Sequence, residues 1–216
     1  MKKKNVIKFG GVSLKNYKRV KNTAKIIKEN THNDLVVVIS AIGNSTNELI
    51  KAGKKAKKGI IDIKEIKSIH IKICNHLNID FDKLVPLLND LEKELKLIKE
   101  NKKLTKKDLD LLMSFGERLS VIVLSNYLND LNVKSKPFKS WEIGLYTDSQ
   151  FGNSEILEKS RKNINSKINK LLETAKDKWI YNAIYIALNT GLRKKELLAL
   201  RWEDINFKLQ IIQVKQ

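Results

Sequence analysis

The chain has 216 residues, 42% of them hydrophobic: enough for one substantial core, or one core with a small appendage, but with no apolar run near the roughly 20 residues that cross a bilayer. Cys74 is the only cysteine and the three histidines (His32, His70, His76) show no ligand spacing, which excludes an internal disulfide and a thiolate metal site and leaves no metal ligands to name. The formal net charge of +19 fits a polyanionic partner such as nucleic acid, but it is nearly all lysine spread from end to end, which reads equally as a solvated surface.

Residues 5 to 9 and 35 to 39 are short apolar runs, each ending at a small-residue turn and followed by a helical pattern, and they predict buried parallel strands. Between them Val20, Ala24, Ile26 and Ile27 recur at helical spacing, so the opening reads as a strand-helix-strand unit of the α/β class. Two amphipathic helices follow. Ile66, Ile69, Ile73 and Leu77 mark the first, and the leucine-rich series from Leu84 to Ile98 marks the second. From Leu109 to Leu131 apolar residues occupy nearly every side, which predicts a buried helix.

Residues 133 to 157 are more mixed, with extended character from Val133 to Phe138 and a loop at Thr147-Asp148-Ser149-Gln150-Phe151-Gly152. Helical patterns resume at Glu158. Residues 183 to 188 predict an apolar helix stopped at Gly191, then a second helix carrying Leu197, Leu198, Leu200 and Trp202, then a strand at Ile211 to Val214. The Met1-Lys2-Lys3-Lys4 start lacks a signal-peptide core, so a cytoplasmic location without membrane contact is expected.

Three stretches carry chemistry. In Lys8-Phe9-Gly10-Gly11-Val12-Ser13 two glycines let backbone approach a phosphate chain at a strand end while Lys8 adds positive charge, although the same residues also make a plain tight turn. It is neither a Walker A loop nor a dinucleotide fingerprint. Ser40-Ala41-Ile42-Gly43-Asn44-Ser45-Thr46-Asn47 ends the second strand with hydroxyls and amides, at the sheet edge where open α/β folds bind ligands; Ser45 or Thr46 also suits a helix cap. Ser114-Phe115-Gly116-Glu117-Arg118-Leu119-Ser120 puts a glycine and a charged pair inside the most apolar helix. Glycine there costs about 1 kcal/mol against alanine, and a buried unpaired carboxylate costs more. Either Glu117 pairs with a lysine, or a ligand ammonium meets Glu117 while a main chain approaches at Gly116.

In this order the three motifs resemble the aspartate kinase branch of the amino-acid kinase family, over about residues 6 to 157 and including the Thr147 to Asn153 stretch. The resemblance implies a partial three-layer α/β fold with a parallel sheet. It also implies phosphoryl transfer from ATP, with Mg²⁺, to the side-chain carboxylate of L-aspartate, the first step of lysine, threonine and methionine biosynthesis. Lys8 would neutralise the transferred phosphoryl group, Gly10, Gly11 and Ser13 would line the phosphate path, and Ser40, Thr46 and Glu117 would hold the amino acid. The family's next strand and its L-G-R-G-G-S-D-type segment do not follow Ile164, so an incomplete kinase domain over residues 1 to 170, with turnover in doubt, is expected.

The string Thr190-Gly191-Leu192-Arg193, followed by Glu196-Leu197, Leu200, Trp202 and Asp204-Ile205, resembles instead a catalytic-domain segment of tyrosine recombinases, the phage integrases. That resemblance covers about residues 173 to 216, forms a small helical appendage ending in a strand, and places Arg193 at the family's first phosphate-clamping arginine. Weak DNA binding by this segment is the most it implies. The other readings are a DNA-binding recombinase fragment and an inactive chimera, and self-association is left open.

Overall fold

The computed structural model describes residues 5–30, 35–160, 163, 205–206 and 211–212. The chain divides into two compact units, Lys2–Ile164 and, with Met1, Asn165–Gln216.

In the first unit β1 (Asn5–Phe9) and β2 (Leu35–Ile39) pair in parallel, with Asn5 opposite Leu35 and Phe9 opposite Ile39. Both strands stand where the apolar runs predict them. Their burial does not. Side chains alternate across a strand, and only the face carrying Ile7, Phe9, Leu35, Val37 and Ile39 meets the helical core; Val6, Val36 and Val38 on the other face are exposed.

Helix α1 (Tyr17–Glu29) returns the chain between the strands. The Asn16 side chain caps it, accepting the Arg19 N–H at 3.0 Å, and Val20, Thr23, Ala24 and Ile27 form the buried stripe. After β2 come α2 (Ser45–Lys57), α3 (Lys64–Leu77), α4 (Val85–Asn101) and α5 (Lys106–Asp130). Leu88, Leu91 and Leu95 of α4 are fully buried with Leu49 of α2 and with Leu112, Phe115 and Leu119 of α5. Helix α5 starts three residues before its apolar pattern, because Thr105 and Asp108 form a capping box: the Thr105 hydroxyl accepts the Asp108 N–H at 3.1 Å, and Asp108 accepts the Thr105 N–H at 2.7 Å.

Residues 133–138 join no strand. The Asn129 side chain exchanges two hydrogen bonds with the Ser135 backbone, at 2.8 and 3.1 Å, holding this stretch to the end of α5. A single 3-10 turn (Ser140–Ile143) follows, then a short hairpin bridged at Thr147 and Ile156. In the second unit β3 (Ile205–Asn206) and β4 (Ile211–Ile212) pair antiparallel. β4 opens the expected strand at Ile211, and β3 carried no strand expectation. The helices expected across residues 183–202 lie outside the described residues.

His70 on α3 is completely buried. Its Nδ1 lies 2.8 Å from the Ile66 carbonyl oxygen, which can only accept, so Nδ1 carries a proton. Nε2 has no partner among the described residues, and burial pushes the His70 pKa down. A histidine base depressed in the fold leaves the unfolded chain holding more protons below its ordinary value of 6.5, so stability is intact above that pH and falls as the medium acidifies. Urea unfolding at pH 7.5 and 5.5 should show this loss, with a limiting slope of about 1.4 kcal/mol per pH unit, and His70→Leu should flatten it.

Candidate functional site

The turn leaving β1 is one 3-10 turn, Gly11–Leu14, entered through Gly10 in extended conformation. The long helix the sequence places here starts only at Tyr17. The Ser13 N–H donates to the Gly10 carbonyl at 2.9 Å, and the buried Thr23 hydroxyl of α1 donates to the Ser13 carbonyl at 2.9 Å. The turn leaving β2 is stitched beside it. The Ser40 N–H donates to the Phe9 carbonyl at 3.2 Å, and the Gly43 N–H to the Leu14 carbonyl at 3.1 Å. Gly43 takes φ +58, a left-handed conformation that suits glycine. A Cβ added to Gly11 would lie 3.9 Å from Ser40 Oγ, whereas one added to Gly10 would meet nothing within 4 Å. The two turns therefore share a rim, and the first is open on its outer side.

Helix α5 is locked onto the second turn. Ser120 Oγ accepts the Ile42 N–H at 2.8 Å and donates to the Gly116 carbonyl at 2.7 Å, both in buried surroundings. A Cβ on Gly116 would sit 2.8 Å from Ala41 Cβ and 3.4 Å from a Leu49 methyl. This explains a glycine inside an apolar helix: the chain that approaches Gly116 is the protein's own turn. Ser45 belongs to the same lock, buried and donating to the Ile42 carbonyl at 2.5 Å. Neither Ser45 nor Thr46 caps α2, whose cap position is Asn44.

The site residues named from sequence stand around this lock. Lys8 is exposed at the end of β1; Ser13, Ser40, Thr46 and Glu117 are half-buried. None of these five side chains makes a hydrogen bond or ion pair among the described residues. The lysine partner foreseen for Glu117 is thus not formed there, and partial exposure lowers the cost of leaving its carboxylate without one. Arg118 does not pair with it either. Its guanidinium lies over the Phe115 ring at 4.3 Å and the Trp141 ring at 5.6 Å, and burial lowers its pKa. Sequence reasoning gave no role to Ser120 and offered Ser45 only as a helix cap; the i, i+4 spacing of Gly116 and Ser120 was the available signal for the first. Arg193 lies outside the described residues. Among the described residues no group of three or more His, Cys, Asp or Glu could hold a metal, and no helix is long and apolar enough to cross a membrane.

The Amino acid kinase family model matches residues 3–187. The chain belongs to the amino acid kinase family. The Phage integrase family model matches residues 160–216, overlapping the end of that span. The chain is 39% identical over 160 residues to chloroplastic aspartokinase 1 of Arabidopsis thaliana, covering 71% of this chain and 28% of the plant protein. It is 26% identical over 154 residues to aspartokinase of Geobacillus stearothermophilus, covering 70% of this chain and 27% of that one. Among solved structures it superposes on E. coli aspartokinase III in complex with aspartate and ADP with a TM-score of 0.63 at 22% identity, over 74% of this chain and 36% of that one. The complex of the same enzyme with lysine and aspartate gives 0.61, over 76% and 38%. At that identity the likeness is one of fold. The chain thus spans under a third of the length of the curated aspartokinases it matches.

Two glycines on facing helices separate the lock from ordinary packing. At Gly53 of α2 an added Cβ would meet the Leu112 Cδ1 methyl at 2.6 Å, the mobile end of a side chain, whereas at Gly116 it meets Ala41 Cβ, which moves only with its backbone. Gly116→Ala should destabilise by about 1–3 kcal/mol, read from the urea midpoint. Gly53→Ala should cost clearly less: both sites gain helix propensity of about 1 kcal/mol, but at Gly53 only the ends of the Leu112 and Leu104 side chains need to shift.

Proposed function

We propose that this chain is an aspartate kinase-like protein. In this reading the turn after β1 receives the phosphates of ATP, while the turn after β2 and the adjoining face of α5 receive L-aspartate, for transfer of the γ-phosphoryl group to its side-chain carboxylate. Lys8 supplies the positive charge, and Gly10, Gly11 and Ser13 offer an open backbone to the phosphate oxygens. Ser40 and Thr46 hold the amino acid, and Glu117 takes its ammonium group. Mg²⁺ would be carried by the nucleotide phosphates, as is usual where a protein provides few carboxylates. Such transfers depend on positioning and charge stabilisation more than on covalent help from the protein.

One observation supports this most: five polar or charged side chains without partners among the described residues stand at the end of β1, on the two turns, at the start of α2 and on α5, and buried hydrogen bonds fasten the turns to each other and to α5. These side chains are exposed or half-buried, so their donors and acceptors are open to solvent and remain available to a ligand. The named complexes of E. coli aspartokinase III with aspartate and ADP, and of the same fold, agree with the choice of ligands. The kinase part is taken as residues 1–170 and the integrase-like part as residues 173–216, and the reaction as cytoplasmic. Because the sequence after Ile164 lacks the family's L-G-R-G-G-S-D-type segment, and the integrase family model matches from residue 160, ligand binding with weak turnover is the proposed state.

Calorimetric titration separates the two half-sites. Lys8→Ala should weaken binding of a non-hydrolysable Mg·ATP analogue by about tenfold or more, the worth of a charge-assisted contact, with aspartate affinity kept. Glu117→Gln should do the reverse. Millimolar aspartate and the Mg·ATP analogue leaving no heat in the parent chain would contradict the reading.

A second reading has its own support in the match of residues 160–216 to the integrase family: a DNA-binding recombinase fragment, with Arg193 as the phosphate contact. Duplex DNA binding that survives deletion of residues 173–216 would remove it.

A further inference from the structure

All four large exposed aromatic side chains of the described residues fall within one stretch: Phe138, Trp141, Tyr146 and Phe151, at 53, 45, 41 and 37% exposure. Each ring has a cation over it. Lys136 stands 5.2 Å from the centroid of Phe138, and Lys139 5.4 Å from that of Trp141. Lys159 stands 4.9 Å from Tyr146, and Lys107 6.0 Å from Phe151. Isolated exposed hydrophobic residues are ordinary; a row of exposed rings interleaved with ammonium groups is a particular chemistry. π-faces that accept stacked bases, beside cations that meet the phosphates between them, make the pattern of a single-stranded nucleic-acid platform.

The row is held in place. Trp141 lies against Arg118 of α5. Further along, the Gly152 N–H donates to Asp110 at 2.7 Å, bringing Phe151 to the start of the same helix. The buried Ser160 hydroxyl closes the segment by accepting the Tyr146 N–H at 2.7 Å and donating to the Tyr146 carbonyl at 2.6 Å. Between Lys107 and Arg118 the helix rises about 16 Å at roughly 1.5 Å per residue, room for about four bases at roughly 3.4 Å each. A cation over an exposed ring is a weaker contact than a stacked base, so an arriving base displaces the lysine, which turns to the phosphate. Duplex DNA keeps its base faces covered and gains only the charge.

We infer that this aromatic-lysine segment, residues 136–159, fastened to α5 at Trp141 and Phe151, binds single-stranded nucleic acid. The inference is independent of the kinase reading and of residues 165–216, where none of the four rings lies.

The test is fluorescence anisotropy on the full chain with a labelled single strand of about 16 nucleotides, a duplex of the same sequence, and inorganic polyphosphate of equal charge. The single strand should bind at least tenfold more tightly than the other two. Trp141→Leu and Phe151→Leu should each weaken it by about fivefold or more, and Trp141→Phe should keep the affinity. If Trp141→Leu fails to fold, Phe138→Leu serves in its place, since that ring is more than half exposed. No binding at low salt, equal affinity for the duplex or the polyphosphate, or ring variants that bind as the parent does would overturn the inference.

Discussion

One buried hydrogen bond, from the Ile42 N–H to Ser120 Oγ, joins parts of the chain 78 residues apart, and the candidate site depends on it. The turn after β2 spends the N–H groups of Ser40, Ile42 and Gly43 inside the protein, and leaving the buried Ile42 N–H unpaired would cost about 1–3 kcal/mol. Ser120 satisfies that group from α5 and returns its own proton to the Gly116 carbonyl one turn earlier. The absence of a side chain at Gly116 allows the approach. With a Cβ there, the helix and the turn would have to separate by some tenths of an ångström, and the geometry of the Ser120 bridge would go with them.

This contact divides labour among residues of similar type. Ser45 and Ser120 are buried and spend their hydroxyls on the frame. Ser40 and Thr46, a few residues away, are half-buried with no such bond among the described residues. Glu117 comes directly after the glycine that makes the contact, so its backbone position is set by that packing and not by an ion pair among the described residues. The frame carries no net charge of its own, and Lys8 and Glu117 bring opposite charges to it. This suits a pair of ligands in which one end is a phosphate chain and the other an ammonium group.

Much of this was legible in the sequence. β-branched runs ending at small residues located both strands, and isoleucine and leucine spacing located α3 and α4, because these signals are local. Non-local contacts decided the rest. Alternation in Leu35–Ile39 is hidden by five consecutive apolar residues, so nothing in the run tells that Val36 and Val38 face away from the helices. The stretch at 133–138 has strand composition, yet the Asn129 side chain takes its backbone bonds. The motif around Gly116 was visible as a local conflict, a glycine and two charges in an apolar helix; its cause, the Ala41 methyl, is far away in sequence. Family resemblance named the site residues, and separating Ser45 from Thr46 needed coordinates.

Native-state hydrogen exchange at the Ile42 amide tests the lock most directly. The account predicts that this turn amide exchanges only with global unfolding, as slowly as the core of α5, and that Ser120→Ala speeds it by orders of magnitude while β1 and β2 amides change little. An Ile42 amide that exchanges at the rate of exposed loop amides in the parent chain, or that ignores the loss of the Ser120 hydroxyl, would contradict it.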